Sequence, residues 1–127
     1  RKDPVLSVAE RVSVIGRALV EAPGLDEGRV EVRSFDGLTV EFCRLVGARF
    51  IVRGLRAISD FEVELQLAHN NRRLAPEVDT VFFMTALEHA YVSSSLVKEI
   101  ARFGGNVDDM VPRVAAEALV RAFTQRR

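Results

Sequence analysis

Residues 51–66, Ile51-Val-Arg-Gly-Leu-Arg-Ala-Ile-Ser-Asp-Phe-Glu-Val-Glu-Leu-Gln66, decide how the rest of the chain is read. The stretch has the pattern of a buried strand that runs into a loop carrying two arginines and then into a helix. Arg53 and Arg56 flank Gly54 where a parallel strand would end, and in open α/β sheets that carboxyl end is where ligands bind. Two guanidiniums there suit a phosphorylated ligand, because their planar forks match phosphate oxygens. Ser59 followed by Glu62 is a capping-box pattern that opens the helix. At about 100° per residue Phe61, Leu65 and Ala68 form its expected apolar stripe, and Glu64 falls on the same side. A carboxylate placed there needs a donor, since burying it unpaired is costly. Two uses are open for Glu64: a scaffolding pair with Arg53 or Arg56, or a part in the ligand site.

Working outward, the helix is expected over Ser59 to Arg73, and Arg49 to Arg53 is the strand before it. Before that strand, Thr39 to Val46 reads as a short helix with Phe42, Leu45 and Val46 as its apolar side, closed by Gly47. Asp36-Gly37 is a turn signal, and Arg29 to Arg33, RVEVR, alternates as a half-exposed strand does. The first helix opens with Ser7 and Glu10, a second capping box, and Val8, Val12, Ile15 and Leu19 form a core-facing stripe. Pro23 and Gly24 end it.

After the central helix Pro76 breaks the chain, and Thr80 to Met84, TVFFM, has the unbroken apolar run of a strand covered on both faces. Thr85 to Tyr91 is a loop carrying His89. Val92-Ser93-Ser94-Ser95 then leads into a helix from Leu96 to Phe103, ended by Gly104-Gly105. Serines at a helix start are either caps or, with the free backbone N–H groups, an anion site. Asp108 and Asp109 lie in a turn, and Pro112 opens a terminal helix to about Gln125 with a basic tail. His69 falls on a helix surface, and Cys43 falls in the core. Strands that alternate with helices make a parallel α/β fold.

The 127 residues suffice for one domain with its own core. Eighteen basic residues balance eighteen acidic ones, so no global field steers the chain to nucleic acid or to a membrane surface. Any phosphate binding is local. A lone cysteine excludes a disulfide framework and a zinc cluster, and no residues read as a metal site. With no apolar run long enough for a bilayer and no stretch that reads as a signal peptide, the expected compartment is a reducing cytoplasm.

Taken together, Val52 to Gln66 and Tyr91-Val-Ser-Ser-Ser-Leu-Val-Lys-Glu99 resemble phosphopantetheine adenylyltransferases, and the likeness runs from Lys2 into the C-terminal helix. The resemblance implies a doubly wound parallel sheet of the Rossmann-like nucleotidyltransferase type. It implies transfer of AMP from ATP to 4′-phosphopantetheine, giving dephospho-coenzyme A and pyrophosphate, with magnesium beside the leaving group. The acceptor's own phosphate attacks in line, so catalysis is positioning and charge stabilisation. By position, Lys2 would contact the reacting phosphates, Thr39 the pantetheine arm and Arg53 the acceptor's phosphate. Gly54, Leu55 and Arg56 would meet ATP, with Arg56 on its phosphates, and Glu64 would belong to the ATP site. His89, Ala90, Tyr91, Val92, Ser93, Ser94 and Ser95 match the second nucleotide loop, Ser94 and Ser95 facing the β- and γ-phosphates. Lys2 and Arg56 are thus the expected catalytic groups. A homohexamer inhibited by coenzyme A is implied as well.

Two motifs of such enzymes are missing from these residues: Gly-(Thr/Ser)-Phe-Asp-Pro and Thr/His-x-Gly-His. The expectation is that an N-terminal β-α-β unit of roughly 30–40 residues lies upstream, leaving residues 1–127 as an N-terminally incomplete domain. Other readings stay open, a related transferase with another phosphate acceptor or a binding module for nucleotide or coenzyme A without turnover.

Overall fold

Phe50–Leu55 and Asp79–Met84 are rich in aromatic and β-branched residues, which suit a pleated surface, and they pair as parallel strands β1 and β2. Ile51 lies opposite Thr80, Arg53 opposite Phe82 and Leu55 opposite Met84. Parallel neighbours need a crossover, and helix α3, Phe61–Leu74, supplies it and packs against β2. The structure is a computed structural model that describes residues 4–25, 28–56 and 61–125. Lys2 and Ser59, and with Ser59 the capping box expected at the start of α3, lie outside the described residues.

The chain forms two compact units. One, Phe35–Tyr91, holds α2 (Thr39–Val46), β1, α3, β2 and a short 3₁₀ turn at Leu87–His89. Its core is Val40, Cys43, Ala75 and Val78, with Ala48 and Ile51 packed against it. Phe35 stacks on Phe42 with ring centroids 4.5 Å apart. Gly47 ends α2 in the left-handed region at φ 74°, as a helix stop requires.

The other unit combines the residues up to Ser34 with those from Val92 onward. It contains α1 (Val8–Glu21), α4 (Ser94–Arg102) and α5 (Arg113–Gln125). The Ser7–Glu10 capping box is formed in both directions, at 3.1 Å each. Val97, Ala101, Val107, Ala116, Leu119 and Phe123 make the core where α4 meets α5. Arg113 on α5 donates to Glu117 at 2.7 Å and also to Glu21 at the end of α1.

Five expectations are corrected. Arg29–Arg33 forms no strand; the sheet of the described residues is β1 and β2 alone. Alternation makes a strand only where a neighbour takes up its backbone groups. Within the segment Arg33 donates to Glu31, two residues back, at 2.8 Å. The stripe of α1 is not core: α1 buries none of its residues, and Val8 and Ile15 are exposed. In α2 the buried side chains are Val40 and Cys43, whereas Leu45 is 79 % exposed. Finally, β2 is covered on one face: Thr80 and Phe82 are half-buried, while Val81 and Phe83 are exposed among the described residues. Helix α4 also begins earlier than expected, at Ser94 with Ser93 as its cap. Among the described residues no helix is long and apolar enough to cross a membrane.

Candidate functional site at the carboxyl end of the first strand

Side chains alternate along a strand, so Ile51, Arg53 and Leu55 share one face of β1. Opposite stands α3. Its one buried residue is Glu64, 6 % exposed, whereas Phe61 and Leu65 of the expected stripe are 46 % and 39 % exposed. The helix is therefore turned so that Glu64, Leu67, Ala68 and Asn71 look toward the strands, and these four line a cavity of about 100 Å³ with Thr39, Ile51, Arg53 and Thr80. Burial of a carboxylate demands a partner. Arg53 provides it: Nε donates to Glu64 Oε2 at 2.8 Å, and Nη2 donates to Glu64 Oε1. Of the two arginines considered from sequence, Arg53 makes this fork.

The hydrogen bonds from Arg53 hold the Glu64 carboxyl below its ordinary range, against the opposite push of burial, and the charge of Arg53 adds to the lowering. Glu64 is thus ionised at neutral pH. Arg53 differs from its partner in exposure. Its side chain is 49 % exposed and that of Glu64 only 7 %. One edge of the guanidinium faces inward, and half of the side chain stays open to solvent; β1 runs on to Leu55, so Arg53 lies within the strand and not, as expected, at its end.

Thr39, Arg53 and Glu64 of the expected site therefore come together around one cavity. Gly54 and Leu55 complete β1, with Arg56 directly after it. Gly54 passes close to Thr85, whose Oγ1 would lie 3.4 Å from a Cβ at that position. His89 ends the 3₁₀ turn with its Nε2 3.5 Å from Glu88 Oε1, Ala90 is buried and Tyr91 is exposed. Val92 to Ser95 belong to the other compact unit. There Ser93 Oγ accepts from Leu96 N at 3.1 Å, so Ser93 is a cap, and Ser94 and Ser95 fill the first turn of α4. First-turn N–H groups have no carbonyl of their own helix to bond. Asn71 and Thr80 were not singled out from sequence. Asn71 could have been found from its spacing, seven positions beyond Glu64, which is two turns along the same helix face.

A parallel β-α-β unit with an arginine in the carboxyl half of its first strand is the arrangement of an α/β domain, whose ligands bind outside the carboxyl ends of the strands. Residues 1–100 match the family model described as cytidylyltransferase-like. A phosphopantetheine adenylyltransferase of Synechococcus sp. (strain WH7803) is 53 % identical over 122 residues, which is 96 % of this chain and 71 % of that protein. One from Prochlorococcus marinus (strain MIT 9303) is 51 % identical over 122 residues, 96 % of this chain and 74 % of that protein. One from Lachnoclostridium phytofermentans is 44 % identical over 126 residues, 99 % of this chain and 74 % of that protein. The chain belongs to the phosphopantetheine adenylyltransferase family.

Proposed function

We infer that this protein transfers the adenylyl group of ATP to 4′-phosphopantetheine, giving dephospho-coenzyme A and pyrophosphate. Membership of the family supports the reaction class. The observation that carries the reading at the level of residues is the half-exposed Arg53 in the carboxyl half of β1, beside a cavity that Thr39 also lines.

In the proposed reaction an oxygen of the acceptor's phosphate attacks the α-phosphorus of ATP. The bond from that phosphorus to the bridging oxygen breaks, and its electron pair leaves with pyrophosphate. No side chain need form a covalent intermediate. The protein's part is to hold two anionic groups in line and to offset their charge. Arg53 would take the acceptor's phosphate in a charge-assisted contact, and Thr39 would meet the pantetheine arm through its backbone. Gly54, Leu55, Arg56 and Glu64 would meet ATP, as would the stretch His89, Ala90, Tyr91, Val92 and Ser93. Ser94 and Ser95 would receive its β- and γ-phosphates at the start of α4. Lys2 is proposed for the reacting phosphates.

No group of three or more His, Cys, Asp or Glu residues able to hold a metal ion occurs among the described residues. Magnesium is proposed as a companion of the nucleotide, bound through phosphate oxygens and water. A cytoplasmic setting, a homohexamer and inhibition by coenzyme A accompany the proposal; sedimentation and a coenzyme A titration test the last two.

The deciding experiment measures pyrophosphate release. It is expected only when ATP and 4′-phosphopantetheine are both present. Turnover with a different phosphate acceptor, or binding of both compounds without pyrophosphate, would overturn the reading, in favour of a related transferase or a binding module respectively.

A further inference from the structure

Helices α1 and α5 run antiparallel where they meet. Arg113 at the start of α5 donates to Glu21 at the end of α1, and Val5 and Gln125 come together at the opposite end of the pair. Between the two helices, within one compact unit, lies an open groove of about 430 Å³. That is room for a small organic molecule. Residues three and four positions apart share a helix face, so Ser13 and Arg17 stand on one wall and Arg121 and Gln125 on the other. Val14, Ala118 and Ala122 lie between them and are half-buried or buried.

The groove collects charge of one sign. Arg17 and Arg121 are exposed, and neither pairs with a carboxylate among the described residues, whereas Arg113 holds both Glu21 and Glu117. Glu10 is the one acid among the described lining residues, two turns before Arg17, and its Oε1 accepts from the Ser7 N–H at 3.1 Å. Two guanidiniums beside one space repel each other, and an anion placed between them turns that repulsion into attraction. We propose that the groove between α1 and α5 binds a small organic dianion, a phosphate monoester or a dicarboxylate, held by Arg17 and Arg121 from opposite walls.

The lining narrows the ligand further. Guanidinium forks match phosphate and carboxylate oxygens alike, and the Ser13 hydroxyl and Gln125 amide can donate to the same anion. Val14, Ala118 and Ala122 suit a compact aliphatic body. No aromatic side chain stands among the described lining residues, so nothing there would stack on a nucleobase. The groove's chemistry is independent of the reaction proposed above.

The test is arginine labelling of the full chain with phenylglyoxal, followed residue by residue by peptide mass spectrometry. Propyl phosphate, succinate and neutral 1-propanol are each titrated in at constant ionic strength, because exposed charges are screened by salt. Labelling of Arg17 and Arg121 is expected to fall together, with one half-saturation point. Arg11 and Arg102, exposed arginines of the same unit outside the groove, should stay unprotected. Protection by propyl phosphate alone assigns a phosphate monoester, and protection by succinate alone a dicarboxylate. Arg17→Gln keeps helix propensity and should raise the half-saturation point at Arg121 by roughly tenfold, and Arg121→Gln should do the same at Arg17. An unchanged half-saturation point in either variant would overturn the proposal. Equal protection of Arg11, or equal protection by 1-propanol, would overturn it in the wild-type chain without any variant.

Discussion

Arg53 and Glu64, 11 positions apart, join the carboxyl half of β1 to the first turn of α3 through two hydrogen bonds between one guanidinium and one buried carboxylate. The contact ties the strand to the crossover helix and fixes the plane of the guanidinium.

A pH dependence of stability follows. Because the folded state lowers the Glu64 pKa from the ordinary 4.5, its contribution is fully present above that value and is lost as pH falls through the folded-state value. Glu77, lowered by its hydrogen bond from Arg44, acts in the same direction, so the informative quantity is a difference. The urea midpoint of the wild type should fall more steeply below about pH 4.5 than that of Glu64→Gln. Parallel curves would show that Glu64 does not carry the effect.

The two arginines should separate by substrate. Arg53→Ala is expected to raise the KM for 4′-phosphopantetheine and Arg56→Ala the KM for ATP. Each lost charge-assisted contact should cost about 1.5–3 kcal/mol. Steady-state kinetics with each substrate varied in turn checks this, and equal effects of both changes on both substrates would sink it.

Gly47 offers a purely conformational test. Its φ is 74°, and a methyl added there would meet nothing within 4 Å, so steric crowding with neighbours plays no part. Gly47→Ala should still destabilise the protein by about 1–2 kcal/mol, because a Cβ disfavours the left-handed conformation. Urea unfolding with an unchanged m-value should record it.

Cys43 should be inert in the native protein. It is 5 % exposed and packed with Val40, Ala75 and Val78. A thiol reagent should label it slowly in buffer and rapidly in denaturant, since reaction requires opening of this small core. Rapid labelling of the native chain would contradict the packing described here.

Much of the local structure was legible because its causes are local. The α1 capping box needs only Ser7 and Glu10 three positions apart, and the stop after α2 needs only a glycine. The strands β1 and β2 and the helices between and after them were also legible from periodicity and breakers, within a residue or two. Which face each helix buries was not. Helix α2 has apolar side chains on both sides, and in eight residues the period cannot choose between Val40 with Cys43 and Phe42 with Leu45. In α3 the apolar stripe pointed to Phe61 and Leu65, but the fork with Arg53 holds Glu64 inward instead.

The sequence by itself determined that Glu64 needed a donor and that two arginines stood nearby, because a buried charge must be compensated whatever the fold. Only the tertiary structure decided that the donor is Arg53, since that depends on which strand face α3 covers. The same holds for Arg29–Arg33: alternation is a property of the chain, but a strand exists only when another segment accepts and donates its backbone hydrogen bonds. Caps and turns are closed by neighbours in sequence; ion pairs and sheets are closed by neighbours in space.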